Sequence, residues 1–292
     1  MEYRGRIIKG IGSFYTVLTR HGEYVCKARG KFRKIGTSPV PGDMALFEVT
    51  EEGKGYLSKI LPRKNILVRP AVSNVDKLMI VMAASLPKPD FSLTDKLLVQ
   101  CEIAGIVPVI ILNKCDEQDE QTKAAVFDQY GQCGYRLLSL SAETGEGMEA
   151  LKAEIKDNIC CFAGQSAVGK SSLMNAIAPE LHLEVGGLSE KTDRGRHTTR
   201  HAELWQVCGG AMLDTPGFSL LDAAELEPAE LCKYYPEMRE HLNECRFPEC
   251  VHVTEPDCGV KPLVGSGIHP ERYERYCKFV DELKEKRRHR YD

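Results

Sequence analysis

The chain has 292 residues, of which 42% are hydrophobic and 28% charged, and a formal net charge of −3. That balance is ordinary for a globular protein and excludes a disordered polyelectrolyte. No apolar run approaches the roughly 18 residues that a bilayer-spanning helix needs, so no membrane partner is expected.

The small net charge conceals an uneven distribution. Residues 1–70 carry 14 Lys/Arg against 6 Asp/Glu, residues 71–230 carry 13 against 24, and residues 231–292 carry 12 of each. A basic start joined to an acidic middle marks a domain boundary and a possible nucleic-acid footprint; a solvated basic face is the plainer alternative. The opening MEYRGRIIKG has no long apolar stretch and no small-residue cleavage site, so no secretory leader is expected. Without one, the 12 cysteines read as reduced thiols and a metal site rather than disulfides, and the expected compartment is the cytoplasm.

In chain order, GRIIKG, FYTVLT, EYVCKAR, MALFEVT and GYLSKIL read as short strands separated by Gly, Pro, Asp or His-Gly punctuation. Five such strands predict a small antiparallel barrel over residues 1–68, of a type that suits oligonucleotides, with a small sandwich as the alternative. Its densest positive cluster is Lys27, Arg29, Lys31, Arg33 and Lys34 beside Phe32. The cations would neutralise RNA phosphates while Phe32 stacks on a base.

The texture changes near residue 76. KLMIVMAA, IVPVIILNK, YRLLSLSA and NICCFAG are apolar strand candidates, alternating with the helical patterns TDKLLVQCEIAG and GMEALKAEI. Strands buried on both faces and interleaved with helices predict a parallel α/β sheet over residues 69–224. Cys160 and Cys161 read as core. Residues 225–292 look helical and cysteine-containing, ending in a charged helix with the basic run KEKRRHR, either an RNA contact or a solvated tail.

Gly164, Gln165, Ser166, Ala167, Val168, Gly169, Lys170, Ser171 and Ser172 form a G-x-x-x-x-G-K-S loop between a predicted strand and a predicted helix. Its glycines let backbone N–H groups turn toward a phosphate, and the following helix adds its positive dipole end. Lys170 would bridge β- and γ-phosphate oxygens, and the Ser171 hydroxyl would ligate Mg²⁺.

Asn113, Lys114, Cys115 and Asp116 read a base. The Asp116 carboxylate can accept from N1 and the exocyclic amine of guanine, a pair that adenine lacks. The Lys114 stem can lie along the base, and Asn113 can tie this segment to the phosphate loop. Ser141 and Ala142, opening SAETG, are placed to meet the guanine O6. Asp214, in DTPG, would hold Mg²⁺ through a water, and the Gly217 N–H would sense the γ-phosphate. Each motif ends a predicted strand, where ligands bind in open α/β sheets.

In the tail, Cys245, Cys250, His252 and Cys258 give C-x4-C-x-H-x5-C, three thiolates and an imidazole that would fill a structural Zn²⁺ shell. Unligated cysteines in a small helical core are the alternative. Cys232, His241, His269 and Cys277 read as packing or surface residues.

With the base reader ahead of the phosphate loop, then GRHTTR, DTPG and the cysteine-rich tail, the chain resembles the ribosome small-subunit-dependent GTPase A family, whose GTPase domain is circularly permuted. The resemblance covers essentially the whole chain and matches all four zinc ligands. It implies an oligonucleotide-binding barrel, a permuted GTPase domain and a zinc domain. It also implies a protein that binds the small ribosomal subunit and ribosomal RNA, assists late subunit maturation and is stimulated by the subunit; a monomer is expected. An RNA-binding adaptor that uses guanine nucleotide only as a regulatory ligand is the alternative, and a GTPase acting on transfer RNA is a third.

Within residues 186–203, Thr198 or Thr199 would close on Mg²⁺ and the γ-phosphate, with Thr199 preferred. His197 either positions the attacking water, as the resemblance supports, or is a solvated loop residue. Phe218 follows DTPG where Ras-like enzymes carry a water-orienting glutamine, so slow intrinsic turnover is expected. Ala167 stands where some potassium-activated GTPases carry Asn, so potassium stimulation is not expected. Because DTPG runs directly into the tail, nucleotide state is expected to pass through residues 217–230.

Overall fold

The computed structural model describes residues 2–28, 32, 38–50, 54–68, 71–117, 119–181, 202–214 and 226–291. Thr198, Thr199, His197, Gly217, Phe218, Arg29, Lys31, Arg33 and Lys34 lie outside them, as does the Asp214 side chain.

Strands β1 (Glu2–Ile11), β2 (Phe14–Thr19), β3 (Gly22–Ala28), β4 (Met44–Val49) and β5 (Gly55–Ile60) pair in the order β1-β2-β3-β5-β4, and β4 returns to β1. That ring is the five-stranded barrel expected from the punctuated strands, with one correction: its pairings are antiparallel except for β3 with β5, which run parallel. Its interior is Ile7, Val17, Cys26, Ala45, Phe47 and Leu57, contributed by alternate positions along each strand. Phe32 is part of this core and only 6% exposed. The expectation that Phe32 stacks on RNA is therefore corrected: its ring is spent on apolar packing, worth more to a barrel this small than exposure. The outward aromatic is Phe14, 52% exposed, with the Lys27 ammonium 5.9 Å from its ring centre.

A short hairpin, β6 (Ile66–Val68) with β7 (Ala71–Ser73), leads to the second unit. The buried Asp43 carboxylate joins the two by accepting from Arg63 Nε at 2.7 Å and Ser73 Oγ at 2.6 Å.

The parallel sheet comprises β8 (Lys77–Ala83), β9 (Val107–Asn113), β10 (Arg136–Ser139), β11 (Ile159–Ala163) and β13 (Gly210–Asp214), ordered β10-β9-β8-β11-β13, with β12 (Glu203–Val207) antiparallel to β13. The continuous apolar runs are explained by burial on both faces. Along β8, Leu78, Ile80 and Met82 face one core, and Met79, Val81 and Ala83 face the other. Helices α1 (Phe91–Ala104) and α2 (Glu120–Tyr130) cover the first core; α3 (Met148–Ile155) and α4 (Lys170–Ile177) cover the second. Helix α1 begins where the Asp90 carboxylate accepts from Leu93 N–H and stops at Gly105, whose left-handed φ of 63° lets its N–H close on Cys101. Lys9 of β1 pairs with Glu203 of β12 at 2.7 Å, so barrel and sheet are one continuous eleven-stranded surface.

After a few short turns and α5 (Pro236–Arg239), the chain ends in α6 (Pro270–Tyr291). Leu231, Tyr235, Met238, Tyr276, Phe279 and Val280 form a third core that also takes Val99 from the outer side of α1. Cys232 is buried there and Cys277 packs against it, while His241 pairs with Glu244 and His269 with Asp128, as packing and surface roles require.

Candidate nucleotide and metal sites

The five parallel strands end on one edge, so the loops that follow them share a rim. Asn113, the last residue of β9 and only 1% exposed, joins three of these loops. Its Nδ2 donates to the Val168 carbonyl in the phosphate loop at 2.9 Å, and its Oδ1 accepts from Ala142 N–H at 3.2 Å. The sequence placed Asn113 as a tie to the phosphate loop, and the geometry shows the bond that makes it.

The phosphate loop takes its shape from backbone conformation. Gly164 has φ of 127°, and a Cβ there would lie 2.2 Å from the Val81 carbonyl oxygen. Gly169 has φ of 93°, and a Cβ there would lie 2.3 Å from Asn113 Nδ2. Each glycine is demanded both by conformation and by a neighbour's closeness. Ala167 between them is also left-handed, at φ 65°. Such alternation turns successive N–H groups into a concave anion cradle at the start of α4. The Lys170 ammonium donates to the carbonyls of Gly164, at 2.8 Å, and Gln165, and burial holds its pKa below the ordinary lysine value. Ser166 is exposed, and Ser171 and Ser172 are half-buried in the first turn of α4. The cradle and the adjacent hydroxyl fit a nucleotide phosphate with its Mg²⁺.

On the base side, Lys114 is left-handed at φ 64° and donates to the Leu86 carbonyl at 2.7 Å. Asp116 is exposed and makes no hydrogen bond or ion pair within the described residues. Cys115 sits beneath the segment, its thiol 3.1 Å from the Leu112 carbonyl and 2.7 Å from Ser139 Oγ, bracing β9 against β10. Ser141 is fully buried; its hydroxyl accepts from Glu143 and Thr144 N–H, and its own N–H goes to Glu146. The Ser141 N–H is thus committed, and a base oxygen reaching Ala142 N–H shares it with Asn113. The main chain of Asp214 closes the same rim, one residue beyond the Leu213–Cys161 pairing of β13 and β11.

One loop of this rim was missed. Residues 85–90 follow β8 and meet both motif loops: besides the Lys114 bond to Leu86, Gln165 accepts from Asp90 N–H at 3.0 Å and donates to the Lys88 carbonyl at 3.2 Å. The signal was available, since β8 is a parallel strand and its carboxyl end had to face the same ligand.

In the tail, the ligand atoms of Cys245, Cys250, His252 and Cys258 all lie within 4.8 Å of one another. His252 Nδ1 is 3.5 Å from Cys245 Sγ and 3.3 Å from Cys258 Sγ. Burial pushes the Cys250 thiol up to about 12, an environment that favours thiolate only where a cation offsets the charge. Glu255 shapes the loop by accepting from Val251, Val253 and Thr254 N–H, and Tyr273 and Tyr276 of α6 donate to the His252 and Val251 carbonyls. The group is the right size and chemistry for one tetrahedral Zn²⁺.

A family model described as RsgA GTPase matches residues 60–224, and one described as RsgA N-terminal domain matches residues 4–57. The chain belongs to the RsgA GTPase family. It is 47% identical over 290 residues, 99% of this chain and 98% of the relative, to the small ribosomal subunit biogenesis GTPase RsgA of Caldanaerobacter subterraneus subsp. tengcongensis. Two crystal structures share its fold along nearly the full length. YjeQ from Thermotoga maritima aligns with a TM-score of 0.85 at 36% identity, covering 97% of this chain and 99% of that one. YloQ, described as a circularly permuted GTPase, aligns at 0.82 and 34%, covering 98% and 96%. The RsgA relationship accounts for the motif order: the sheet keeps its ligand loops while the chain enters it at β8 instead of at the strand before the phosphate loop.

Proposed function

We propose that this GTP-hydrolysing chain works on the small ribosomal subunit, binding its RNA and assisting late maturation, with hydrolysis stimulated when it is correctly seated. The observation that carries the nucleotide half of this reading is the Asn113 bridge from Val168 to Ala142, which ties base reader and phosphate loop together as a shared ligand would require.

In this reading Asp116 selects guanine, Lys114 flanks it, Cys115 and Ser141 brace the base pocket and Ala142 shares its N–H with the base. Gly164 to Ser172 hold the phosphates. Lys170 and the cradle's N–H groups stabilise charge that builds on the transferring phosphoryl as water attacks in line and the bond to the β-phosphate breaks. Mg²⁺, held by Ser171 and through a water by Asp214, would neutralise phosphate charge. Thr199, His197 and Gly217 are assigned to closing the site, ordering the water and sensing the γ-phosphate. One Zn²⁺ on Cys245, Cys250, His252 and Cys258 would be structural.

The ribosomal half is supported by the name of the relatives, by the basic surplus of residues 1–70 and by the outward Phe14–Lys27 pair on the barrel, a fit to stacking and phosphate contact. We divide the chain into a barrel (1–68), a GTPase domain (69–224) and a zinc domain (225–292), and assign it to the cytoplasm as a monomer; no helix among the described residues is long and apolar enough to cross a membrane.

The test is multiple-turnover phosphate release with and without purified small subunits, for the wild type and Lys170→Ala. Turnover is expected to rise with subunits and to fall by about a hundredfold or more in the variant. Absence of release in both conditions would favour the adaptor reading instead.

A further inference from the structure

The 85–90 turn is gripped by both halves of the nucleotide site. Lys114 of the base-reading segment reaches Leu86, Glu117 just after that segment reaches Ser85, and Lys88 extends to Asp119 at the start of α2 at 2.5 Å. From the phosphate loop, the Gln165 amide pairs with this turn as a backbone strand would, accepting from Asp90 N–H and donating to the Lys88 carbonyl. Asp90 is at the same time the residue that caps α1, its carboxylate accepting from Leu93 N–H at 2.9 Å. A displacement of the phosphate loop therefore acts on the first turn of a fourteen-residue helix through the residue that starts it.

Helix α1 delivers that motion to a different part of the molecule. Asp95, five positions past the cap and about 7.5 Å along the axis, is buried, its side chain 3% exposed. Three donors converge on its carboxylate: Tyr130 Oη at 2.8 Å, Arg275 Nε at 2.5 Å and the guanidinium of Arg272. Arg272 is 1% exposed; it also pairs with Glu237 at 2.5 Å and stacks over Tyr235 with its carbon 4.7 Å from the ring centre. Arg272, Arg275, Glu237 and Tyr235 all belong to the cysteine-rich C-terminal unit. A buried, multiply bonded carboxylate has few alternative arrangements, because moving it away strips Arg275 of its carboxylate partner and leaves Arg272 with Glu237 alone in a low-dielectric interface. It transmits position where an exposed ion pair would simply re-form.

We infer that helix α1 couples the nucleotide site to the C-terminal metal domain, with Gln165 as the positioning residue at one end and Asp95 held by Arg272 and Arg275 at the other. This rests on the guanine-nucleotide reading of the site. It is a route through packed contacts, separate from the chain connection through residues 217–230, part of which lies outside the described residues. By linkage the effect is reciprocal: whatever seats the C-terminal domain on a partner alters nucleotide affinity by the factor with which nucleotide alters that seating.

The experiment uses the full-length, zinc-loaded protein. Hydrogen exchange is followed in residues 270–276 with no nucleotide, with GDP and with a non-hydrolysable GTP analogue at saturation. Affinities are measured for the wild type, Arg275→Met, Gln165→Leu and the double variant. Exchange in residues 270–276 is expected to slow on nucleotide binding in the wild type and to stay unchanged in saturated Gln165→Leu. Arg275→Met, remote from the nucleotide loops, is expected to shift affinity by about fivefold or more, and to have little further effect once Gln165 is Leu. Unchanged wild-type exchange on saturation overturns the link, whether or not a variant folds, and so does an equal effect of Arg275→Met in both backgrounds. A wild type that binds no guanine nucleotide overturns the site reading itself, a distinct result that removes the link with it.

Discussion

The rim that reads nucleotide and the loop that gathers Cys245, Cys250, His252 and Cys258 are built by opposite means. The rim hangs from five parallel strand ends, and its shape is set by backbone bonds such as Asn113 to Val168 and by glycines that admit close neighbours. Apolar cores on both faces of the sheet support it. The metal loop contains neither a strand nor a long helix. It leans on α6 through the Tyr273 and Tyr276 hydroxyls, on Glu255 for three of its backbone N–H groups and on the packing of Cys250, Val251 and Cys258 into the third core; the rest of its shape falls to three thiols and a ring. The rim is supported by apolar packing on both faces of its sheet, whereas the metal loop is expected to depend on its ion.

The largest effect that tests this contrast is metal removal. Zinc ligation of such small units contributes on the order of 10 kcal/mol at neutral pH. A strong chelator, or Cys258→Ser, is expected to release one zinc per chain and to abolish slow hydrogen exchange in residues 245–258. The fluorescence of Trp205, in β12 on the sheet, is expected to stay put. Slow exchange that persists in the loop after complete chelation would show that packing alone maintains it, and the contrast would collapse.

Asp116→Asn comes next, and it acts on ligand preference rather than on folding. The carboxylate is exposed and makes no internal bond among the described residues, so its loss costs the protein little. Two charge-assisted bonds to guanine, at about 1.5–3 kcal/mol each, correspond to a loss of roughly 10²- to 10⁴-fold in GTP affinity. The melting temperature without nucleotide is expected to match wild type. A variant that keeps its preference for GTP over ATP would place the base elsewhere.

Asn113→Ala should do what Asp116→Asn does not. It leaves the Val168 carbonyl and the Ala142 N–H without their partner in a buried place, at about 1–3 kcal/mol, and frees the phosphate loop from the base reader. A lower urea midpoint is expected together with faster nucleotide dissociation. Stability loss with unchanged dissociation would reduce Asn113 to a packing residue.

What the sequence made legible follows the same divide. Local chemistry was readable: the glycine spacing of the phosphate loop, the apolar runs of β8 and β9 and the four metal ligands each depend on residues close in the chain. What failed depended on distant partners. Phe32 looked like a stacking residue because it sits among Lys31, Arg33 and Lys34, yet its fate was set by Ile7, Val17 and Leu57 on other strands. Phe14, the outward aromatic, stood apart from the basic run and drew no notice. The C-terminal segment read only as a charged helix with a basic tail, but Arg272 within it is buried because Asp95, far upstream, neutralises it. Charge within a segment says nothing of a counter-charge supplied by another element. The expected path through residues 217–230, most of it outside the described residues, came from connectivity, which is visible in one dimension; the Gln165–Asp90 contact is not visible there.

The smallest effect concerns the rim's edge. The Lys88 ammonium and the Thr122 backbone and hydroxyl hold the Asp119 carboxyl down at about 2, below its ordinary value near 3.8. A depressed folded-state pKa means that the ionised form is favoured by folding. The stabilisation is complete above about pH 4 and is lost as pH falls from there toward about 2. Asparagine can still cap α2 through its side-chain oxygen, so Asp119→Asn removes the charge and keeps the cap. At pH 6 the variant is expected to have a slightly lower urea midpoint than wild type, because the pair is solvent-screened. The gap is expected to narrow in high salt and to close as both proteins are taken to pH 2. A gap that is the same size at pH 6 and pH 2 would mean that the Asp119 carboxylate contributes geometry alone, and that the rim owes its shape to neutral backbone bonds even at this exposed corner.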